Sequence, residues 1–203
     1  TMDGIADLAV RTRFPTGRKL TRSDVIVETD IIIQQGQFSG LPIVGNASNA
    51  DLVGRFSDSG TELSGTAILF GAPVDFVVTE DRLQDKLVFR ANAPKAEGLA
   101  TLLASATDLD MKGSLGGNIM LVTGSALTNF EIELSLDLAD TSIDIPAIGW
   151  AKLPAEPGSA SMRLVLKEGV PLAIEDIEIE AGSLAMVGRA GFAAPNGNGI
   201  TIS

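Results

Sequence analysis

The chain has 203 residues, 45% of them hydrophobic and 20% charged, so it is globular material long enough to bury a sizeable core. Its net charge of -11 argues against nucleic acid as a partner and against docking on anionic headgroups by charge alone. With no Cys and no His, the chain excludes disulfides, thiolate chemistry, imidazole metal sites and Ser-His-Asp or Cys-His catalysis.

Period-two alternation dominates from the start. Ile5–Phe14 reads as a strand with Leu8, Val10 and Phe14 on one face, broken by Pro15–Arg18. Val25–Ile33 follows and runs on, punctuated by Gly, through Phe38. Asp51–Phe56, Glu62–Phe70, Val74–Glu80 and Lys86–Ala91 come next, separated by Ser/Gly and Gly-Ala-Pro turns. Between 95 and 105 the pattern changes. Leu99, Leu102, Leu103 and Ala106 fall at helical spacing, and Pro94 suits a first helical turn, so a short amphipathic helix is expected there.

Strands resume at Gly113–Val122 and at Phe130–Leu138. The second alternates most cleanly, with Phe130, Ile132, Leu134, Leu136 and Leu138 on one side and Glu131, Glu133, Ser135 and Asp137 on the other. Ser142–Ile145, Ser159–Lys167, Leu172–Glu180 and Leu184–Phe192 complete the series. In Leu172–Glu180 the phase slips: Leu172 and Ile174 share one parity, Ile177 and Ile179 the other. A bulge near Glu175–Asp176 would reconcile them. Gly54, Gly65, Gly113 and Gly188 each sit inside a strand pattern, where Gly marks a bend, a bulge or a close approach of backbones.

The expected fold is therefore all-β with one short helix: a long antiparallel, strongly curved sheet, either a curled groove or sandwich-like. It forms one domain over 1–203, or two β halves, 1–92 and 107–203, joined by the helix near 95–105. One face is aliphatic and the other acidic and solvated. A single helix is too small to cover that aliphatic face, so a second sheet, a fold of the sheet on itself or an apolar ligand must do so.

Sites for chemistry are sparse. Asp137, Asp140 and Asp144 flank one turn and Asp108 and Asp110 another, but no calcium-loop pattern is present, and outward acids on a sheet are ordinarily solvated. Gly113–Asn118 is Gly-rich but leads into a strand, whereas a phosphate cradle uses a helix N-terminus. Asn46–Ser48 matches a glycosylation acceptor, a common chance match. The only Trp, Trp150, lies in the Pro/Gly-rich stretch Ile145–Gly158 and is expected to cap one end of the sheet. No catalytic residue, metal or cofactor is expected. No basic n-region with an apolar h-region opens the chain, and no apolar run approaches the roughly 18 residues of a membrane span. Asn196–Gly199 is a hairpin signal followed by a strand that has barely begun, so the chain reads as a segment of a longer protein.

From Phe130 to Phe192 the order is an alternating strand, an acid, "IDIP", "GW.K", a Pro/Gly loop and strands ending in "GR". It resembles the AsmA-like proteins of Gram-negative bacteria, closest to the YhdP-like branch. The likeness extends upstream through "GTAILFGAPVDF" to "DMKGSLGG" and covers nearly the whole chain. Ile143–Lys152 is its motif-specific part. The resemblance implies a non-enzymatic periplasmic segment of a protein anchored in the inner membrane. Its curved sheet would have an apolar interior that carries phospholipid between inner and outer membranes and supports outer-membrane integrity. Phospholipid acyl chains and envelope proteins would be its partners. Phe130, Ile132, Leu134, Leu136, Ile177 and Ile179 are then expected to line a lipid groove, with Trp150 capping its end. The alternative is a structural or interaction β module of the envelope.

Overall fold

The structure is a computed structural model that describes residues 2–16, 21, 25–41, 45–69, 71–97, 100–101, 110–124, 126–146, 149–168, 170–192 and 200–202. The strands are β1 (Met2–Arg13), β2 (Ile26–Leu41), β3 (Gly45–Ser57), β4 (Gly60–Leu69), β5 (Ala72–Asp81), β6 (Lys86–Ala96), β7 (Asp110–Gly113), β8 (Leu115–Thr123), β9 (Asn129–Asp137), β10 (Thr141–Ile145), β11 (Trp150–Lys152), β12 (Gly158–Lys167), β13 (Val170–Ala181), β14 (Leu184–Phe192) and β15 (Ile200–Ile202).

Twelve of them form one antiparallel sheet in the order β1-β2-β3-β4-β5-β6-β8-β9-β12-β13-β14-β15. The sheet is not closed into a barrel: β1 and β15 are its edges. Nearly every strand pairs with its neighbour in sequence, because short turns feed antiparallel partners. The order is interrupted twice, between β6 and β8 and between β9 and β12. Both excursions leave from the same end of the sheet, and their strands pair in a separate three-stranded sheet, β11-β10-β7. The 1–92 and 107–203 portions share the large sheet, since β6 pairs with β8 from Leu87↔Thr123 to Ala96↔Leu115.

The expected helix at 95–105 is corrected at its start. Pro94, Lys95 and Ala96 belong to β6, where Ala96 still pairs with Leu115. Glu97, Ala100 and Thr101 are helical, and the Thr101 hydroxyl donates to the Glu97 carbonyl one turn back at 3.3 Å. Residues 98–99 and 102–109, with Leu99, Leu102, Leu103, Ala106 and Asp108, lie outside the described residues. So does the Asn196–Gly199 turn, although β15 beyond it pairs antiparallel with β14.

Gly113–Val122 is likewise two strands. The chain leaves the small sheet after Gly113 and enters the large one at Leu115. Gly113 makes the crossing possible: its φ is 107°, and a Cβ there would lie 2.3 Å from the Asp140 carbonyl oxygen. At Gly65 a Cβ would lie 2.0 Å from the Asp51 carbonyl oxygen, the close backbone approach that a Gly inside a strand signals.

The phase slip in β13 is a bulge where the sequence placed it. Between Ile174 and Ile177, β13 carries one more residue than either neighbour: Ile174 and Ile177 face Ala190 and Gly188 on β14, and Ser161 and Arg163 on β12 face Glu178 and Glu175. Asp176 takes φ 51°, and the Arg163 guanidinium bridges Glu175 and Asp176 at 2.9 Å each. Similar left-handed residues, Gln35 and Asn49, sit at register shifts in β2 and β3.

Candidate functional site

Residues directly opposite on antiparallel strands share a face, so the register sorts the large sheet into cross-strand rows. Row one runs Val10, Thr29, Phe56, Thr61, Glu80, Leu87, Thr123, Phe130, Leu166. Row two is Leu8, Ile31, Gly54, Leu63, Val78, Phe89, Leu121, Ile132, Leu164 and Ile174. Row three is Ala6, Ile33, Leu52, Gly65, Phe76, Ala91, Ile119, Leu134 and Met162. Row four holds Ala67 and Val74 and, across β6 to β13, Ala93, Gly117, Leu136, Ala160 and Ile179. Polar side chains occur in row one alone; rows two to four have none.

Burial deepens from row one toward row four. Leu8 and Val10 are each 63% exposed, and Phe56, Leu63, Phe89 and Leu121 are exposed or half-buried. Ala67, Val74, Ala93, Leu136 and Ala160 are buried, and beyond them Leu115 and Ala96 are fully so. Ile132, Phe130 and Thr123 depart from the gradient, being buried near the row-one ends of β9 and β8. The buried cluster includes Leu138 and Ile143, and Met111, Ile145 and Trp150 pack against it from the small sheet. The insert therefore covers one end of the aliphatic face.

All six residues expected to line a groove are on this face. Phe130, Ile132, Leu134 and Leu136 descend through the four rows on β9, and Ile179 joins row four. Ile177 reaches the same face because the bulge restores its parity with Ile174. Trp150 is half-buried against the core, in β11 opposite Ile145. The Pro/Gly-rich stretch Ile145–Gly158 thus contains a strand.

The insert is pinned by a residue that the sequence did not single out as a site. Lys152 pairs with Ile143 in the small sheet and is 1% exposed. Its Nζ donates to the carbonyls of Thr141 at 2.9 Å, Leu153 at 3.1 Å and Ala139 at 3.4 Å. An ammonium has three donors and no acceptor, so three carbonyls satisfy it completely. The contacts tie the β9–β10 turn to the Pro-rich segment before β12, where Ala155 N–H shares the Ala139 carbonyl at 2.8 Å. Thr141, fully buried, donates its hydroxyl to the Ser114 carbonyl at 2.8 Å and so joins the two excursions. On the surface the Lys95 ammonium bonds the Asp140 carboxylate and holds it below its ordinary pKa, while the Lys95 pKa is raised in return.

The opposite end is a polar rim. The Thr61 hydroxyl donates to Glu80 Oε2 at 2.7 Å, and this bond, followed by that of Arg82, keeps the Glu80 carboxyl below its ordinary pKa. Arg82 Nε lies 3.4 Å from the same oxygen, and its Nη1 donates to the Ser57 carbonyl at 3.0 Å.

The second face is mixed: charged and polar side chains such as Arg55, Glu62, Arg90 and Glu133 stand among exposed Ile32, Val53 and Val77 and the buried Val88. It carries an open hollow of about 650 Å³ lined by Val77 and Met120 as well as by Thr66, Asp75, Arg90, Asn92, Asn118 and Glu133. Asn92 Nδ2 donates to Asn118 Oδ1 across it at 2.8 Å. No group of three or more acidic side chains able to hold a metal occurs among the described residues. No helix among them is long and apolar enough to cross a membrane. No family model matches the chain, and neither a curated protein nor a solved structure matches it.

Proposed function

We propose that the chain is a non-enzymatic, periplasmic segment of a protein anchored in the inner membrane, and that its aliphatic sheet face binds or conducts phospholipid acyl chains between the inner and outer membranes. The observation that carries the reading is the extent of apolar surface. Rows two to four cross the sheet with no polar side chain, and the insert covers one end of them. An acyl chain offers apolar contact alone, and each buried CH₂ contributes about 0.8 kcal/mol. A curled sheet with this face inward would supply such contact along its length, and the bulges of β2, β3 and β13 are of the kind that bend strands. The AsmA-like resemblance of Phe130–Phe192 supports the same reading.

Native mass spectrometry of the chain purified from a Gram-negative periplasm tests it. Co-purifying phospholipid that is lost when Leu121 and Leu63 are changed to Asp supports the proposal. A lipid-free protein that takes up none from mixed micelles contradicts it.

A second reading, an interaction module, draws on the edge strand β1. Ile5, Leu8 and Val10 are exposed along it, and an open edge can accept a partner strand. Ala6→Pro, which removes one backbone donor, would then abolish capture of an envelope protein while leaving lipid content unchanged.

A further inference from the structure

We propose that the β7–β10–β11 insert is a stop, so that an acyl chain on the aliphatic face lies along the strands with its methyl end toward Leu136 and Trp150 and its headgroup at the Thr61–Glu80–Arg82 rim. This rests on the lipid reading above and adds a direction to it.

Three observations give the direction. First, polarity on this face is confined to the row containing Thr61 and Glu80, so a headgroup placed anywhere further along would lose its hydrogen bonds to apolar surroundings. At the rim the half-exposed Arg82 guanidinium, bonded to Glu80 and Ser57, keeps further N–H donors for the acidic group of a phospholipid or a fatty acid. Second, the far end is occupied. Leu115 and Ala96 are fully buried in the cluster against which Met111, Ile145 and Trp150 pack, and the three carbonyl bonds of Lys152 hold the insert's turns together. Displacing it would strand a buried ammonium or its acceptors. Third, the length matches. Thr123 in row one to Gly117 in row four is six residue steps of β8, past half-buried Leu121 and Ile119, about 20 Å at about 3.3 Å per step. The acyl chains of one leaflet fill half of a hydrocarbon core about 30 Å thick, so one chain fits between rim and insert and two end to end do not.

The chain's single Trp reports on the stopped end. The unaltered protein is loaded with stearate bearing a doxyl quencher either near its carboxyl or near its methyl end, at equal occupancy measured by native mass spectrometry. Greater loss of Trp150 fluorescence with the methyl-end label is expected. In a Trp150→Phe, Phe56→Trp chain, which moves the reporter to the rim row, the order of the two probes should reverse. Stearate that binds but quenches Trp150 equally from both positions, or more from the carboxyl end, overturns the direction and leaves the lipid reading standing. Failure of stearate to bind at all overturns both.

Discussion

The two ends of the aliphatic face invert the usual relation between side-chain size and burial. At the insert end the buried residues are largely Ala67, Ala93, Ala96, Ala100, Ala160 and Ala181, with Leu115, Leu136 and Leu138 among them. Toward the rim stand Leu63, Phe89, Leu121 and Leu164, larger and more apolar, yet half-buried. Large aliphatic and aromatic side chains are ordinarily the ones driven inside. Hydrophobicity therefore does not set the difference; cover does. Small residues let the insert approach the sheet closely, and nothing of comparable size covers the larger ones among the described residues. The insert end behaves as a protein core, while the rim end, the buried Phe130, Ile132 and Thr123 apart, is half-buried or exposed apolar surface.

Substitutions at the two ends should separate accordingly. Lys152→Met has the largest expected effect, because it leaves three carbonyls without their charge-assisted donor. A loss of about 3–5 kcal/mol in denaturant unfolding is predicted, with faster hydrogen exchange in β10 and β11. A loss under about 1 kcal/mol would mean that the insert is not held by this residue.

Leu136→Ala, in the buried row, should cost about 3 kcal/mol as a cavity in a packed core. Leu8→Ala on the same face should change stability by less than about 0.5 kcal/mol. Equal costs would erase the distinction between the ends.

Single-residue deletions in β13 sharpen the point. Removing Glu178 turns half-buried Ile179 and buried Ala181 off the aliphatic face and should destabilise by about 1 kcal/mol or more. Removing Asp176 deletes the bulged residue and leaves Ile174, Ile177 and Ile179 in phase, so the loss should be clearly smaller in the same urea titration.

The smallest effect belongs to the exposed Lys95–Asp140 pair. Asp140 is depressed, so its contribution is present above the ordinary carboxyl value of about 3.9 and is lost as pH falls through the lower folded value. Lys95 is raised, so its contribution is present below about 10.4 and is lost as pH rises through the higher folded value. A small Tm difference between the protein and Lys95→Ala should appear at neutral pH and vanish in strong acid. A difference that persists there would assign the effect to packing of the Lys95 stem.

The large sheet was legible because alternation is a local signal. The clean run at Phe130–Leu138 became β9, and the parity slip at Glu175–Asp176 became a bulge on β13 with the expected consequence for Ile177 and Ile179. The insert was not legible, because its pairing is not local. β7 meets β10 across some thirty residues, as in Ser142↔Lys112, and no period in either segment encodes that choice. Pro94 fits a first helical turn and an extended strand alike, and the Ala96↔Leu115 pair decided for the strand. Lys152 escaped notice because inward-facing positions are read as apolar. Its parity with Trp150 on a three-residue strand was the one available signal.

The central claim is that the aliphatic face, and not the mixed second face, holds lipid. A photoactivatable benzoyl-phenylalanine placed at Leu121 on the aliphatic face, and separately at exposed Val53 on the mixed second face, compares the two directly in chain expressed in the periplasm. Phospholipid crosslinked at Leu121 and absent at Val53 is the predicted result. Equal labelling at both positions, or labelling at Val53 alone, would contradict it.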